Sequence, residues 1–371
     1  MQELNIDKAH RTSKLPDTNK RMSMDTLCID PRSDPLWSKL VQQNDSDVFQ
    51  SPQWINVVAN TYEFPTFAQV IVDDSNAPIA GLPYCRIEDV RGKRLVTFPF
   101  SDYCDPIVKN LDQWRLLSEP LFDESALYNI RILHNEILLD DDRFHLANKA
   151  KWHGIDLEQN LGEIWDGLDG SARRAIKKAQ RSGLVVHIAE SKDDLRKFFE
   201  LHLGIRKYKY HLVAQPYRFF EEIWEQFLSK YNGALMLAEY KNEFIGGVLF
   251  LEWGGKLFYK FNASNPDYLT FRPNDLVIWE GIKYGKLKRL KVLDFGISDW
   301  DQEGLVRYKR KYASEEKTVS FLRYSPKGWQ LPDYASQIGQ LFPKLTDLFT
   351  EESVPDHVTE KAGDILYRYF C

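Results

Sequence analysis

Charged and aromatic side chains near residue 300 have the composition of a group-transfer site. Asp294 and Asp299 flank Gly296 directly after a predicted strand, and the basic segment 307–312 follows. Ligands of open α/β sheets gather beyond the carboxyl ends of strands. There a carboxylate can accept a proton, and a fixed cation can stabilise a developing negative charge. Two simpler interpretations stay open, because loop aspartates usually cap backbone N–H groups and the basic segment has the form of a solvated turn.

A second cluster, residues 206–210, alternates cations with aromatic rings. Arg206 and Tyr210 could grip a phosphate and stack on a ring, and we predict that both bind substrate. The competing interpretation is a helix C-terminus that favours cations through its dipole. Five further cations between residues 173 and 181 could contact a polyanion such as a tRNA arm or anionic lipid, although a soluble surface helix is the simpler interpretation.

A repeated segment connects these clusters to the first part of the chain. Residues 79–106 and 245–268 both run from a small-Gly-apolar start through two apolar stretches, separated by Gly-Lys, to a polar loop. Such a repeat indicates one strand–turn–strand–loop unit used in two domains. The loop of the first copy carries Tyr103 and Asp105, which we predict to contact the acceptor. Cys104 between them has no neighbouring His that would activate it as a nucleophile.

The surrounding pattern predicts an α/β fold with two tandem domains, each a mixed central sheet flanked by helices. A length of 371 residues suits two domains. We expect a mobile N-terminal tail over residues 1–30 and a first domain over 31–155. A second domain over 156–328 and a C-terminal helical segment over 329–371 complete the prediction.

Composition narrows the class of protein. The chain is 43% hydrophobic and 28% charged, which is typical of a globular protein, and its net charge of −5 gives no global reason to expect nucleic acid. No run approaches the ~18 apolar residues of a membrane span, so we expect peripheral membrane contact at most. Four unclustered cysteines suit a reducing cytoplasm, and the first 25 residues lack the apolar core of a signal peptide.

Three motifs and the element order of the second domain resemble a known family. The motifs are residues 171–183 (SARRAIKKAQRSG), 293–299 (LDFGISD) and 307–312 (RYKRKY). They are similar to GNAT-superfamily acyltransferases with tandem GNAT-like domains, namely the Fem-type peptidyltransferases and the related acetyltransferases of polysaccharide clusters. Lys309 and its neighbours fit the family pattern, whereas Ala313 stands where the family usually has glycine. The resemblance covers roughly residues 35–330.

The resemblance implies roles for particular residues. Lys309 would lie at the reaction centre and stabilise the oxyanion, and Asp299 would be the general base. The predicted substrate-binding residues are Arg206, Tyr210, Tyr103, Asp105 and Asp294. The predicted cofactor-binding residues are Asn262, Asn274 and Asp275, around the helix start that binds the donor pyrophosphate in GNAT enzymes. The glycine-rich loop typical of acetyl-CoA sites is absent here.

The resemblance also implies the reaction. An acyl group, from acyl-CoA in our first hypothesis, would pass to an amine or hydroxyl of a saccharide-linked or cell-envelope acceptor, with no metal and no permanently bound cofactor. The first alternative is the same chemistry with aminoacyl-tRNA as donor. The second is a non-catalytic module that binds a saccharide or an assembly partner. The choice between N- and O-acylation, the acyl group, the acceptor and the oligomeric state stay open.

Overall fold

The computed structural model describes residues 25–122, 126–330 and 333–371, and their strands form one twelve-stranded mixed sheet. The strands are β1 (Asp25–Ile29), β2 (Thr66–Val72), β3 (Pro78–Asp89), β4 (Gly92–Thr97), β5 (Leu127–Ile132), β6 (His145–Asp156), β7 (Val185–Ile188), β8 (Gly233–Tyr240), β9 (Glu243–Trp253), β10 (Lys256–Ser264), β11 (Val292–Asp299) and β12 (Glu315–Tyr324). Their order across the sheet is β1-β2-β3-β4-β5-β12-β6-β11-β10-β9-β8-β7.

Eleven α-helices lie between or after the strands in the described residues. They are α1 (Pro35–Gln43), α2 (Pro52–Tyr62), α3 (Leu111–Ser118), α4 (Leu161–Gly167), α5 (Gly170–Arg181), α6 (Lys192–Gly204), α7 (Tyr217–Gln226), α8 (Pro273–Leu287), α9 (Glu303–Arg310), α10 (Asp333–Thr350) and α11 (Asp356–Leu366). Local sequence explains their starts: Ser51 caps α2 ahead of Pro52, and Ser191 caps α6 by accepting from Asp194 N. Asp169, rather than Ser171, caps α5.

The sheet is a duplication in which each strand has a counterpart six strands later in the chain. β1 to β4 pair in antiparallel order, as do β7 to β10. β4 then pairs parallel with β5, and β10 pairs parallel with β11. Residues 79–106 and 245–268 therefore begin in the equivalent hairpins β3–β4 and β9–β10. The predicted mixed α/β fold with two equivalent halves is confirmed.

We call residues 25–140 the first half and residues 157–310 the second half. The two halves exchange strands at their junction, because β6 pairs with β11 and β12 pairs with β5, while β6 and β12 pair with each other. The two predicted sheets are thus one continuous sheet. The predicted tail over residues 1–30 extends too far along the chain, because residues 25–29 form β1 against β2. Residues 1–24 lie outside the described part.

Alternation along the strands places two apolar layers on opposite faces of the second half. Leu249 and Leu251 of β9 pack in one cluster with α6 and α7, whereas Val248 and Phe250 pack in another with α5 and α8. This is the period of two expected for a strand that is buried on both faces. The helices therefore hold β9 and its neighbour β10 rigidly from both sides.

Two irregularities open the second half at one edge of this rigid layer. The parallel pairing of β10 with β11 covers only the register from Lys256–Val292 to Phe258–Asp294, although both strands continue well beyond it. A bulge lies between Tyr259 and Phe261 of β10, and another irregularity follows Asp294 in β11. Bulges redirect side chains and end pairing, so the diverging strands leave a cleft between them.

Candidate active site

The cleft between β10 and β11 has a volume of about 930 Å³. Its walls come from the two strands, from α9, from the segment that follows α6 and from the loop that precedes α8. The lining residues used below are Asp102, Arg206, Tyr208, Lys209, Tyr210, Lys260, Asn262, Asn274, Gly296 and Lys309. Five of the ten residues predicted from the sequence are brought together here: Lys309, Arg206, Tyr210, Asn262 and Asn274.

Lys309 extends from α9 into the wall of the cleft and is 5% exposed. Its ammonium donates a 2.7 Å hydrogen bond to the carbonyl of Ile297 in β11. Burial lowers the pKa of Lys309 to about 8, although the nearby charges of Asp102 and Asp294 act in the opposite direction. An ammonium carries three donors, so a ligand in the cleft can meet the remaining ones.

Lys260 and Asp102 form an ion pair in the same cleft, with 3.1 Å between Nζ and Oδ1. The bulge in β10 turns Lys260 toward the first half, where its ammonium also lies over the rings of Phe49 and Trp54. We did not predict either residue. The available signal for Lys260 was a lysine within the otherwise apolar and aromatic run 257–261 of β10, whereas nothing local distinguishes Asp102 from its neighbours.

Gly296 allows the two halves to approach each other at the cleft. Its φ of +66° lies in the left-handed region, and a Cβ there would lie 2.5 Å from Oδ2 of Asp102. Any other residue would be strained and would displace this carboxylate. The glycine between the two predicted aspartates is therefore required by backbone conformation and by close packing.

Arg206 and Tyr210 lie in a π-helical turn, Ile205–Lys209 and its cap, which continues α6. Such turns are frequent at functional sites. The guanidinium of Arg206 donates to the carbonyl of Val213 at 3.2 and 3.3 Å, which closes the segment on itself. Tyr210 is 52% exposed at the mouth of the cleft.

The predicted donor-binding residues divide into two groups. Asn262 and Asn274 line the cleft, and Asn274 accepts a 2.5 Å hydrogen bond from Ser264. Asp275 is 6% exposed and accepts a hydrogen bond from Tyr312 instead, and burial raises its pKa. It does not line the cleft. Because Pro273 has no N–H, the start of α8 also offers fewer backbone donors than an ordinary helix start.

Four further predicted residues lie outside the lining, for three physical reasons. Tyr103 is buried and donates a 2.6 Å hydrogen bond to Asp294, which also accepts from Gly296 N. Asp105 is buried and accepts from the backbone N–H groups of residues 133–135. Asp299 is exposed at the end of β11. Substrate binding by Tyr103, Asp105 and Asp294 stays a prediction, and the geometry does not favour it, because their polar atoms are used to join parts of the protein.

Residues 170–310 match the family model described as an acetyltransferase (GNAT) domain. This match includes both cleft strands, α8 and α9, and therefore most of the site. The chain has a GNAT/Fem-like fold. Transferases of the GNAT acyltransferase class use acyl-CoA as a co-substrate and hold no permanent cofactor.

Solved structures support the same fold over most of the chain. The similar structures include FemX (TM-score 0.61, 12% identity, covering 83% of this chain and 97% of FemX). A C-terminal domain of a putative lysylphosphatidylglycerol synthetase from Agrobacterium fabrum has a TM-score of 0.52 and 12% identity, covering 83% of this chain and 95% of that domain. A tandem GNAT protein from the clavulanic acid biosynthesis pathway has a TM-score of 0.51 and 8% identity, covering 81% and 98%. At these identities the likeness concerns the fold.

Two further observations concern curated sequences and membrane-spanning helices. No curated protein sequence matches this chain significantly. Within residues 25–122, 126–330 and 333–371, every helix is too short or too polar to cross a membrane.

Proposed function

We propose that the GNAT/Fem-like cleft transfers an acyl group from an activated donor, in the first instance acyl-CoA, to an amine or hydroxyl of a saccharide-linked or cell-envelope acceptor. The observation that carries this proposal is the buried ammonium of Lys309 in the wall of the cleft, held by one backbone carbonyl. A preorganised cation in a site shielded from water stabilises developing negative charge far more than it would in water.

The proposed step is an addition followed by an elimination at the donor carbonyl. The nitrogen or oxygen of the acceptor forms a bond to the carbonyl carbon, and the carbonyl electron pair moves to the oxygen beside Lys309. The carbon–sulfur bond then breaks, and the CoA thiolate leaves and is protonated. The proton lost by the acceptor passes to a carboxylate or to solvent, so that the products are an amide or ester and free CoA.

The geometry favours Asp102 over Asp299 as the carboxylate that accepts this proton. Asp102 lines the cleft, and its negative charge lies near enough to Lys309 to favour the protonated form of that lysine. A general base must come within hydrogen-bond distance of the attacking group, and Asp299 lies outside the lining. The ion pair with Lys260 would hold the carboxylate in place until the acceptor binds.

A donor assay tests this proposal directly. Purified protein would be mixed with acetyl-CoA and a panel of amino sugars and nucleotide sugars, and the release of free thiol would be followed. We expect thiol release that requires both an acceptor and Lys309, with loss in Lys309→Met. Release without an acceptor, or unchanged release in Lys309→Met, would contradict the mechanism.

The tRNA-dependent version is a second candidate that has its own support. Exposed cations follow one another on α5, at Arg174, Lys177, Lys178 and Arg181, and the start of α8 suits a pyrophosphate poorly, since Asp275 occupies it. Transfer of a labelled amino acid from charged tRNA, with loss on changing Lys177 and Lys178 to Ala, would favour this version. Saccharide binding by calorimetry without turnover of either donor would instead favour a binding module.

A further inference from the structure

Residues 205–214, which follow α6 and form one wall of the cleft, are called the wall segment below. Lys207 of this segment is fully buried, with 0% exposure. Its ammonium donates to the carboxylate of Asp356 at 2.8 Å, to the hydroxyl of Tyr208 at 3.2 Å and to the carbonyl of Val354. The hydroxyl of Tyr208 donates in turn to the same oxygen of Asp356 at 2.7 Å. All three donors of the ammonium are therefore used.

The partners of Lys207 belong to the C-terminal helix pair, α10 and α11. Val354 and Asp356 lie at the connection between these helices, and this part of the chain lies outside residues 170–310, which match the acetyltransferase model. The same wall segment contacts the helix pair a second time. Val213 packs with Ala362 and Leu366 of α11.

The second contact is equally close. A Cβ on Gly363 would lie 2.4 Å from the carbonyl of Ala214. Residues 207–214 are therefore held by the helix pair at both ends. Tyr208, Lys209 and Tyr210 line the cleft between those attachments, and Arg206 lines it directly before the first one.

Only one partner of this ion pair is buried, because the side chain of Asp356 is 54% exposed whereas that of Lys207 is 0% exposed. The pair is a poor source of stability, since desolvation of the lysine offsets much of the attraction. Such pairs can instead specify one conformation. Here the conformation is an uncommon π-helical turn capped by Tyr210 and followed by His211, whose φ of +51° is in the left-handed region. A turn of this kind persists when its surroundings hold it.

We propose that the C-terminal helix pair, attached through the Lys207–Asp356 pair, positions residues 205–210 so that the cleft can bind its substrate. Lys207 and Asp356 are positioning residues in this proposal, since they act on the cleft through Arg206, Tyr208 and Tyr210. The statement that this cleft binds the substrate rests on the proposed function. The attachment itself can be measured without any substrate.

The first test is hydrogen–deuterium exchange on the full chain, comparing Asp356→Asn with Glu360→Gln. Glu360 forms a bidentate pair with Arg196, at 2.7 Å for both bonds, and so joins the same helix pair to α6 away from the cleft lining. We expect Asp356→Asn to raise amide exchange in peptides covering residues 205–215 about tenfold, and Glu360→Gln to leave those peptides unchanged. Equal exchange in the two variants would overturn the proposal.

The second test measures binding by calorimetry, with acetyl-CoA and UDP-N-acetylglucosamine as probes. For a probe that binds the unchanged protein, we expect Asp356→Asn to raise Kd about threefold to tenfold, Asp356→Glu to restore most of the affinity, and Glu360→Gln to have no effect. Faster exchange with unchanged Kd for such a probe would also overturn the proposal. If neither probe binds the unchanged protein, the proposed function fails, while the exchange experiment still decides whether the helix pair holds the turn.

Discussion

The two halves of the sheet have the same strand order, but their equivalent edges differ. In the first half, residues 98–106 follow β4 and return to β5, where Cys104 N donates to Arg131 O at 2.9 Å and Asp105 caps the N–H groups of residues 133–135. In the second half, residues 265–271 follow β10 and form a 3₁₀ helix started by Asn265. The cleft beside β11 stays open there.

The two equivalent halves of the sheet therefore have different roles. In the second half, the corresponding loop bonds to β9 through Asn265 N and Ile245 O, and the carbonyl of Ile297 in β11 accepts from Lys309 at the cleft. We call the first half closed, because its loop covers the edge of β5, and the second half open, because it has the cleft. The closed half still contributes residues to the cleft of the open half. Its loop carries Asp102 into the cleft and places Tyr103 against Asp294.

Among the changes that test this difference between the halves, Lys309→Met should have the largest effect on activity, because it removes the cation from the cleft of the open half. We expect kcat/KM to fall about 10³-fold, as for the loss of an oxyanion donor, with the fold retained. Steady-state kinetics with the donor that the thiol-release assay identifies would measure the loss. Lys311→Met is the matched control, because Lys311 lies two residues further along and outside the cleft lining. A similar loss in both variants would contradict a specific role.

The same lysine should give the activity an alkaline limit. With a pKa of about 8 in the folded protein, Lys309 loses its proton as the pH rises through 8, and kcat/KM should fall above that pH. Its ordinary pKa is 10.5, so the unfolded chain binds more protons between these values, and this group's contribution to stability rises with pH across that window. Lys309→Arg keeps its charge and should lack the alkaline limit, which a pH–rate profile would show.

Gly296→Ala tests the close contact between the halves. The strained φ and the clash with Asp102 should reduce the free energy of unfolding by about 1–3 kcal/mol and lower kcat/KM by more than tenfold. Urea unfolding and kinetics would measure the two effects. Gly339→Ala in α10 is the control, since a Cβ there meets no atom within 4 Å. An active, equally stable Gly296→Ala would show that the contact is dispensable.

Asp105→Asn tests whether the closed half is structural. An amide cannot replace a buried carboxylate that accepts several backbone N–H groups, so the free energy of unfolding should fall by about 2 kcal/mol. Activity per folded molecule should change less than fivefold. Asp73→Asn is a matched control, because Asp73 also accepts from two backbone N–H groups but in an exposed turn, and its change should cost much less. A large loss of kcat in folded Asp105→Asn would return this residue to the active site.

The smallest effect should come from Tyr103→Phe, which removes the hydroxyl that donates to Asp294. Burial raises the pKa of Asp294 to about 6, so this carboxyl is protonated in the fold at pH 5 and ionised at pH 8. The lost donor matters more to the ionised form. We expect a loss of about 1 kcal/mol at pH 8 and a smaller loss at pH 5, from urea unfolding at both values. A larger loss at pH 5 would show that another group is responsible.

Sequence patterns predicted those parts of the site that depend on neighbours in the chain. Arg206 and Tyr210 lie in the cleft wall because their cluster directly follows an amphipathic helix, and Asn274 lies at a helix start signalled by Pro273. The aspartates were harder to place. Asp102, Tyr103 and Asp105 occupy one short loop, yet one lines the cleft and two are buried, because adjacent residues of a loop point in different directions.

The amino-acid sequence by itself determined the duplicated hairpins, the mixed α/β class and the position of Lys309 in a basic segment that follows a strand, since each depends on periodicity or on motifs within a few tens of residues. The tertiary structure alone decided that β6 and β12 change places, that Lys260 meets Asp102 and that Lys207 joins the cleft wall to the last two helices. Those contacts join residues more than a hundred positions apart, and no local pattern records which distant partner will satisfy a buried charge.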